Sequence, residues 1–371
     1  MVKKKIIFFL PSLSGGGNEK NLIILLNGLV KKNKFIISLA TYRNINKDKK
    51  LRKIYKIDSR VRILNASNNI KIKKGLLKYL HTALILFIFC IKNKAIIVSF
   101  QSNILALLVA KFTKSKIIIR LNTAPSKYIN DIFNRNLFNF FYSCSDKILV
   151  NSIDLKKEVK KYFNLNCTVF RQSLDINEIT KKAKEKINFS FFKNYKGLKV
   201  INIGNLWDYK DHITLLKAFY NLIKIKDSRL LIIGEGPQKI YIDNFIKKNK
   251  LFKYIKIIPF NPNPFNYLKL SDVKVLTSKY EGNPNVLLEA ACLKRFIVSS
   301  DCKVGPSEIL QRGKGGELFK VGDYKQLFLK LKNLDIKKIK SKKKIEISYK
   351  YVKTNYAADI SQPFMKILKK I

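Results

Sequence analysis

The chain has 371 residues, 47% of them hydrophobic and 12% aromatic, which is ample for two compact cores and too long for one ordinary domain. Lysine and arginine number 75 against 25 acidic residues, a formal charge of +50, so the surface should attract anions such as phosphates, nucleic acid or anionic lipid headgroups. The excess is spread over the whole chain together with abundant Ile and Asn, as A/T-rich codon bias would leave it, and no nucleic-acid-binding motif accompanies it, so nucleic acid is not an expected partner.

Lys3, Lys4 and Lys5 precede the short apolar run Ile6–Leu10, which ends at Pro11 and reads as a first buried strand instead of a signal sequence. A glycine loop follows, then a helix with Leu22, Leu25, Leu26 and Leu29 on one stripe. Further strands are predicted at Phe35–Ala40, Ala95–Phe100, Lys116–Arg120 and Lys147–Asn151, with a packed helix over Asn103–Ala110. The apolar stretch Ala83–Ile91 is about half of the ~20 residues a membrane-spanning helix needs, so membrane contact is expected to be peripheral.

This alternation of strand and helix predicts a parallel sheet covered on both faces over residues 1–186. The polar, aromatic-dotted stretch 187–197 reads as a linker. The alternation restarts over 198–345 with strands at Leu198–Ile203, Arg229–Ile233, Ile255–Pro259, Val273–Thr277 and Phe296–Ser299, so a second doubly wound domain is predicted. Residues 346–371 should form a C-terminal helix, around Tyr349–Leu368, packing back toward the N-terminal domain. The Lys-rich run Lys337–Lys344 before it reads as a solvated face. Five cysteines without CxxC or Cys/His spacing suit reduced core thiols in the cytoplasm and argue against a structural metal site.

Three windows could carry chemistry. Ser12-Leu13-Ser14-Gly15-Gly16-Gly17 sits between a strand and a helix, where backbone amides can approach a phosphate or sugar, although a tight turn fits as well and the spacing is not GxGxxG. Gly204-Asn205-Leu206-Trp207-Asp208-Tyr209-Lys210 occupies the same position in the second half and places Lys210 where its ammonium can neutralise a diphosphate. In the window from Ser278 to Ala290, Glu281 lies in a loop and Glu289 on the following helix, eight residues on. Gly282 and Pro284 shape that loop, Asn285 can cap the helix, and the amides of Asn285 to Leu287 would form an anion site at the positive end of its dipole. Taken alone, this window fits an ordinary capped helix with two solvated glutamates equally well.

The chain resembles the GT-B glycosyltransferases of family 4. The matching segments run in family order through both halves: SLSGGGNEKNLIILLNGL, GNLWDYKDHITLLKAF, LLIIGEGP, YEGNPNVLLEA with its E-x7-E pair, and DCKVGPSEIL followed by GKGGELF. The closest subgroup is bacterial, acting in lipopolysaccharide, capsule or lipid-linked oligosaccharide assembly. The resemblance implies two Rossmann-like doubly wound domains facing across a cleft. It also implies a retaining transfer of a hexose or N-acetylhexosamine from a nucleotide-diphosphate sugar, UDP-sugar favoured, to a glycan or lipid-linked acceptor in cell-surface polysaccharide synthesis.

By the same resemblance Glu281 contacts the hydroxyls of the donor sugar, Glu289 accepts hydrogen bonds from the ribose, and Lys210 holds the diphosphate. Backbone around Gly282, Asn283, Pro284, Asn285 and Val286 cradles sugar and phosphates. Gly204, Asn205, Gly234 and Gly236 belong to the donor side, and Gly15, Gly16 and Gly17 close it from the opposite domain. Arg120 and Asn122 follow a strand at the corresponding crevice of the first half and are the acceptor-side candidates.

Two departures stand out. Relatives commonly carry Arg at the position of Asn205, so part of the positive field is missing unless another basic residue supplies it. Many also use a His near the acceptor, whereas His81 and His212, the only histidines here, fall elsewhere and read as structural. Catalysis would then rest on positioning and charge stabilisation, with the leaving phosphate taking the acceptor's proton. The absence of a D-x-D triplet points to metal independence, with no cofactor beyond the nucleotide sugar as co-substrate. The expected location is cytoplasmic, peripheral on the inner face of the membrane. A nucleotide-sugar epimerase of the same fold and a basic nucleic-acid-binding protein are the alternatives.

Overall fold

The computed structural model describes residues 3–13, 17–42, 56–65, 75–335 and 339–371. The chain divides into two compact units, one of Met1–Ser173 with Ala357–Ile371 and one of Leu174–Tyr356.

The first unit holds seven parallel strands: β1 (Lys4–Phe9), β2 (Phe35–Thr41), β3 (Arg62–Asn65), β4 (Ile96–Ser99), β5 (Ile117–Leu121), β6 (Lys147–Val150) and β7 (Thr168–Val169). They lie in the order β3-β2-β1-β4-β5-β6-β7. Ile6, Ile7, Phe8 and Phe9 of β1 are wholly buried, as a central strand covered on both faces requires. The second unit holds six parallel strands: β8 (Leu198–Ile203), β9 (Ser228–Ile233), β10 (Ile255–Ile258), β11 (Val273–Leu276), β12 (Phe296–Ser300) and β13 (Glu317–Phe319). Their order is β10-β9-β8-β11-β12-β13. In each sheet the chain winds outward to one edge, then crosses back to the other side of its first strand. The reversal leaves a crevice at the strand carboxyl ends, between β1 and β4 in one unit and between β8 and β11 in the other.

The unit boundaries differ from the predicted ones. Residues 187–197 are not a linker: Phe189 and Phe192 are buried in the second core, with Phe189 edge-on to Tyr267 at 5.0 Å. Helix Ile176–Ala183 also belongs to that core, through Ile179 and Ala183. Aromatic dots in a polar stretch are anchors here, and the chain changes unit earlier, at Ser173.

The C-terminal segment 346–371 is likewise not one helix. Helix Ile339–Asn355 belongs to the second unit, and helix Ser361–Leu368 to the first. Phe364 of the latter packs between Phe8 and Phe170, with ring centroids at 5.9 and 5.5 Å. From the Lys-rich run, Lys344 reaches back to the Glu317 carboxylate instead of pointing only to solvent.

The apolar stretch Ala83–Ile91 is part of helix Gly75–Asn93, which by length and composition is long and apolar enough to cross a membrane, a correction to the half-length reading. Its inner face, Thr82, Ala83, Leu86, Phe89 and Cys90, is buried in the first unit, where the helix covers the sheet beside helix Asn103–Thr113. His81 lies within this helix. All five cysteines are free, four buried and Cys144 exposed.

Candidate functional site

The second unit's crevice is built by the loops that leave β8 and β11. The β8 loop closes in the 3-10 turn Asp208–Lys210, and Asp211 then caps helix His212–Ile223 by accepting from the Thr214 amide. The β11 loop runs alongside. The Lys279 amide donates to the Tyr209 carbonyl at 2.7 Å, the Thr277 hydroxyl donates to the Lys210 carbonyl at 2.8 Å, and Lys279 pairs with Asp208. Tyr209 and Tyr280 stack at 4.9 Å with their planes 14° apart. The two loops are thus fixed to each other, and the side chains they carry converge.

Lys210 Nζ donates to Glu281 Oε1 at 2.5 Å, and Ser278 Oγ donates to the same oxygen at 2.7 Å. Neither bond engages Oε2, and two ammonium protons remain for another acceptor. The pair is largely buried, with Lys210 16% and Glu281 11% exposed. Burial alone would pull the Lys210 pKa down, but the attraction and hydrogen bond of Glu281 outweigh it and the net shift is upward. Lys210 is therefore a fixed cation at the sheet's switch point.

Beneath it lies a residue that sequence reasoning passed over. Lys274, on β11, is wholly buried, and its Nζ donates to the Ile203 carbonyl at 3.3 Å, at the root of the β8 loop. Burial and then repulsion by Lys210 pull its pKa down to about 7, against the attraction of Glu289 and Glu281. A lysine inside an otherwise apolar central strand was the available signal, hidden among the many lysines of this chain. His212 is also buried beside these cations, and burial, Lys210 and Lys274 hold its pKa down to about 4, so it is neutral. Its ring nitrogens have no hydrogen-bond partner among the described residues.

Glu289 lies partly buried on helix Asn285–Cys292, within electrostatic reach of Lys274 and Cys292. The expected cap is corrected: Pro284 takes the N-cap position, Asn285 is the first helical residue, and no side chain caps the helix. The loop before it rests on the turn at Gly305, where φ is +98° and a Cβ would meet the Gly282 carbonyl and the Pro284 ring at 2.7 Å. Asn283 is held by the Tyr356 hydroxyl at 2.8 Å, and Glu308 accepts from Tyr351 at 2.8 Å, both from the end of helix Ile339–Asn355. Val286 packs partly buried against the same core.

Of the glycines predicted for the donor side, Gly234 and Gly236 shape the crevice through packing. A Cβ on Gly234 would sit 1.9 Å from the Gly204 carbonyl, and one on Gly236 would sit 2.4 Å from the Leu206 carbonyl. They let the β8 loop lie flat on the end of β9. A Cβ added at Gly204 would meet only the Lys210 stem, at 3.8 Å, and Asn205 is exposed on the loop. Gly17 opens helix Gly17–Lys31, while Gly15 and Gly16 lie outside the described residues. Arg120 and Asn122 are placed in the first unit at the carboxyl end of β5, both lining a cavity there. Among the described residues no group of three or more His, Cys, Asp or Glu is placed to hold a metal ion.

Comparison with known proteins agrees with this geometry. Residues 183–351 match the model of the glycosyl transferases group 1 family. An uncharacterized glycosyltransferase of Methanocaldococcus jannaschii is 30% identical over 47% of this chain and 44% of its own length. The N-acetylgalactosamine-N,N'-diacetylbacillosaminyl-diphospho-undecaprenol 4-alpha-N-acetylgalactosaminyltransferase of Campylobacter jejuni is 27% identical over 63% of this chain and 64% of its own. In both cases the match spans less than two thirds of the relative. The Anabaena protein HepE, solved with UDP and glucose, superimposes with a TM-score of 0.79 at 14% identity, over 99% of this chain and 100% of its own. The chain thus has the two doubly wound units of a GT-B fold, and residues 183–351, which carry the Lys210–Glu281 crevice, are similar to the glycosyl transferases group 1 family.

Proposed function

We propose that the chain is a retaining glycosyltransferase of family 4 that moves a hexose or N-acetylhexosamine from a nucleotide-diphosphate sugar, UDP-sugar favoured, to a glycan or lipid-linked acceptor in cell-surface polysaccharide synthesis. The observation that carries this reading is the Lys210–Glu281–Ser278 cluster at the carboxyl ends of β8 and β11. A diphosphate reaching the free protons of Lys210 is neutralised as it departs, in a site already desolvated and already oriented. Glu281 Oε2 would accept from a donor hydroxyl, and Glu289 would bind the ribose. The acceptor hydroxyl adds on the face that the diphosphate leaves, and a phosphate oxygen takes its proton, so no protein base is required. We assign no protein-held metal to this step.

The charge that Asn205 does not supply comes from below the loop, where Lys274 stands half protonated near neutral pH. An incoming diphosphate favours its protonated form. The diphospho-undecaprenol acceptor in the name of the Campylobacter relative supports a lipid-linked acceptor here. The +50 charge and the apolar outer face of helix Gly75–Asn93 support a cytoplasmic placement at the membrane's inner face. Incubation with UDP- and GDP-sugars, followed by product analysis, tests the reading: transfer or slow donor hydrolysis is expected, and a folded protein that binds none of them would refute it.

A further inference from the structure

The loop that joins Glu281 to helix Asn285–Cys292 has little support of its own. It runs through Gly282, Asn283 and Pro284, and no side chain caps the helix it opens. A loop that a ligand must find already shaped needs props from elsewhere in the fold.

One prop is the turn at Gly305 beneath it. The other is Tyr356. Its ring is buried, 7% exposed, in the core that also takes Leu287 and Leu288 of that helix. Its hydroxyl accepts from Asn283 Nδ2 at 2.8 Å and lies 3.3 Å from Asn283 Oδ1. Packing alone would be satisfied by Phe, which fills nearly the same volume. The hydroxyl adds a directional bond to one loop residue, two positions from Glu281.

Tyr356 also stands where the chain leaves the second unit. Helix Ile339–Asn355 ends one residue before it, the Tyr356 amide still donates to the Val352 carbonyl at 3.1 Å, and the first unit resumes at Ala357. The returning chain is pinned at once. The Ala358 carbonyl accepts from the hydroxyl of Ser173, the residue at which the chain earlier left the first unit. Asp359 accepts from the Ser361 amide at 2.8 Å and pairs with Lys32 at 3.3 Å. Only Ala357 separates the anchor at Tyr356 from the anchor at Ala358. At ~3.8 Å per residue such a span has little slack, so a shift at one anchor reaches the other.

We infer that Tyr356 is a positioning residue of the donor crevice: through Asn283 it sets the loop between Glu281 and helix Asn285–Cys292, and it couples occupancy of that crevice to the course of the returning segment 356–361. The inference rests on the donor reading above for its ligand.

Hydrogen–deuterium exchange and titration calorimetry on the whole chain test this. The probe is UDP, or GDP where only that binds. Without ligand, Asn283→Ala should speed exchange in 356–361 at least threefold, because Tyr356 loses this partner. Saturating nucleotide should slow exchange in both 279–285 and 356–361 of the wild type, and only in 279–285 of Tyr356→Phe. Tyr356→Phe should also bind the nucleotide about threefold to tenfold more weakly. Tyr195→Phe is the control: it removes a hydroxyl bonded to Asp227 at 2.6 Å, at the amino ends of β8 and β9, and should leave affinity within twofold. Should Tyr356→Phe fail to melt cooperatively, the ligand-free exchange of Asn283→Ala decides. Unchanged exchange in 356–361 of Asn283→Ala overturns the inference, as does a Tyr356→Phe variant that matches the wild type in affinity and in protection of 356–361. A wild type that binds neither nucleotide, while Asn283→Ala still speeds exchange in 356–361, would refute the transferase reading and leave the coupling standing.

Discussion

Replacing Lys210 with Met removes the ammonium but keeps a stem of similar length against the Tyr209 ring, which the ammonium now overlies at 5.1 Å. Two losses follow, and they separate. Glu281 keeps the Ser278 bond but loses its countercharge at 11% exposure. Breaking a fully buried pair costs about 3–5 kcal/mol, and the residual exposure and surviving hydrogen bond reduce the expected loss of stability to about 1–3 kcal/mol. In a unit of this size that lowers the melting temperature by about 2–10 °C. The loss to chemistry is larger: removing one preorganised donor from a developing anion costs about 10²–10³ in kcat. The double variant Lys210→Met/Glu281→Gln leaves neither member of this pair as an unpaired charge, so it should regain most of the lost stability and none of the activity. Thermal melts and steady-state donor turnover read both. A single variant within threefold of wild-type kcat, or a double variant no more stable than the single one, would refute the reasoning.

Two further outcomes are expected. Lys274 titrates at about 7 when folded, whereas an unfolded lysine titrates near ~10.4, so between these values the unfolded chain holds the extra proton and stability rises with pH. Stability is lost as pH falls through that window; Lys274→Met should flatten the slope in chemical denaturation, stabilise the protein by about 1–4 kcal/mol at pH 7, and abolish proton uptake on UDP binding in calorimetry across buffers. Gly234→Ala places a methyl group 1.9 Å from the Gly204 carbonyl and should cost about 1–3 kcal/mol and weaken UDP binding, whereas Gly204→Ala, with nothing nearer than 3.8 Å, should melt within about 2 °C of wild type.

The strands were legible because a central parallel strand is a short apolar run: β1, β2, β5, β8, β9 and β12 fall within two residues of their predicted limits. Strands β3, β7 and β13 were not, being four, two and three residues long and at or near sheet edges, where no uninterrupted apolar run is needed. The unit boundaries misled because Phe189 and Phe192 sit in a polar stretch that reads as a linker, while the core they enter is formed by distant residues such as Tyr267. The same holds for the C-terminus, where one amphipathic pattern is split by the chain's return to the first unit at Ala357. At the site, Lys210 and Glu281 were found by position and proved to be one cluster. Lys274 was not found, since in a chain with 75 basic residues a lysine carries almost no signal until its burial is known. Arg120 was found by position alone; its burial is visible only in three dimensions.

The central claim is that the Glu281 carboxylate, held by Lys210 and Ser278, works on a nucleotide-sugar donor. Its most direct test is turnover of a panel of UDP- and GDP-sugars by wild type and Glu281→Ala, with melting temperatures measured in parallel. One donor should be consumed by the wild type, and the variant should lose at least 100-fold in turnover while remaining folded. Equal turnover by a folded variant, or no donor consumed or bound by the wild type, would contradict the account.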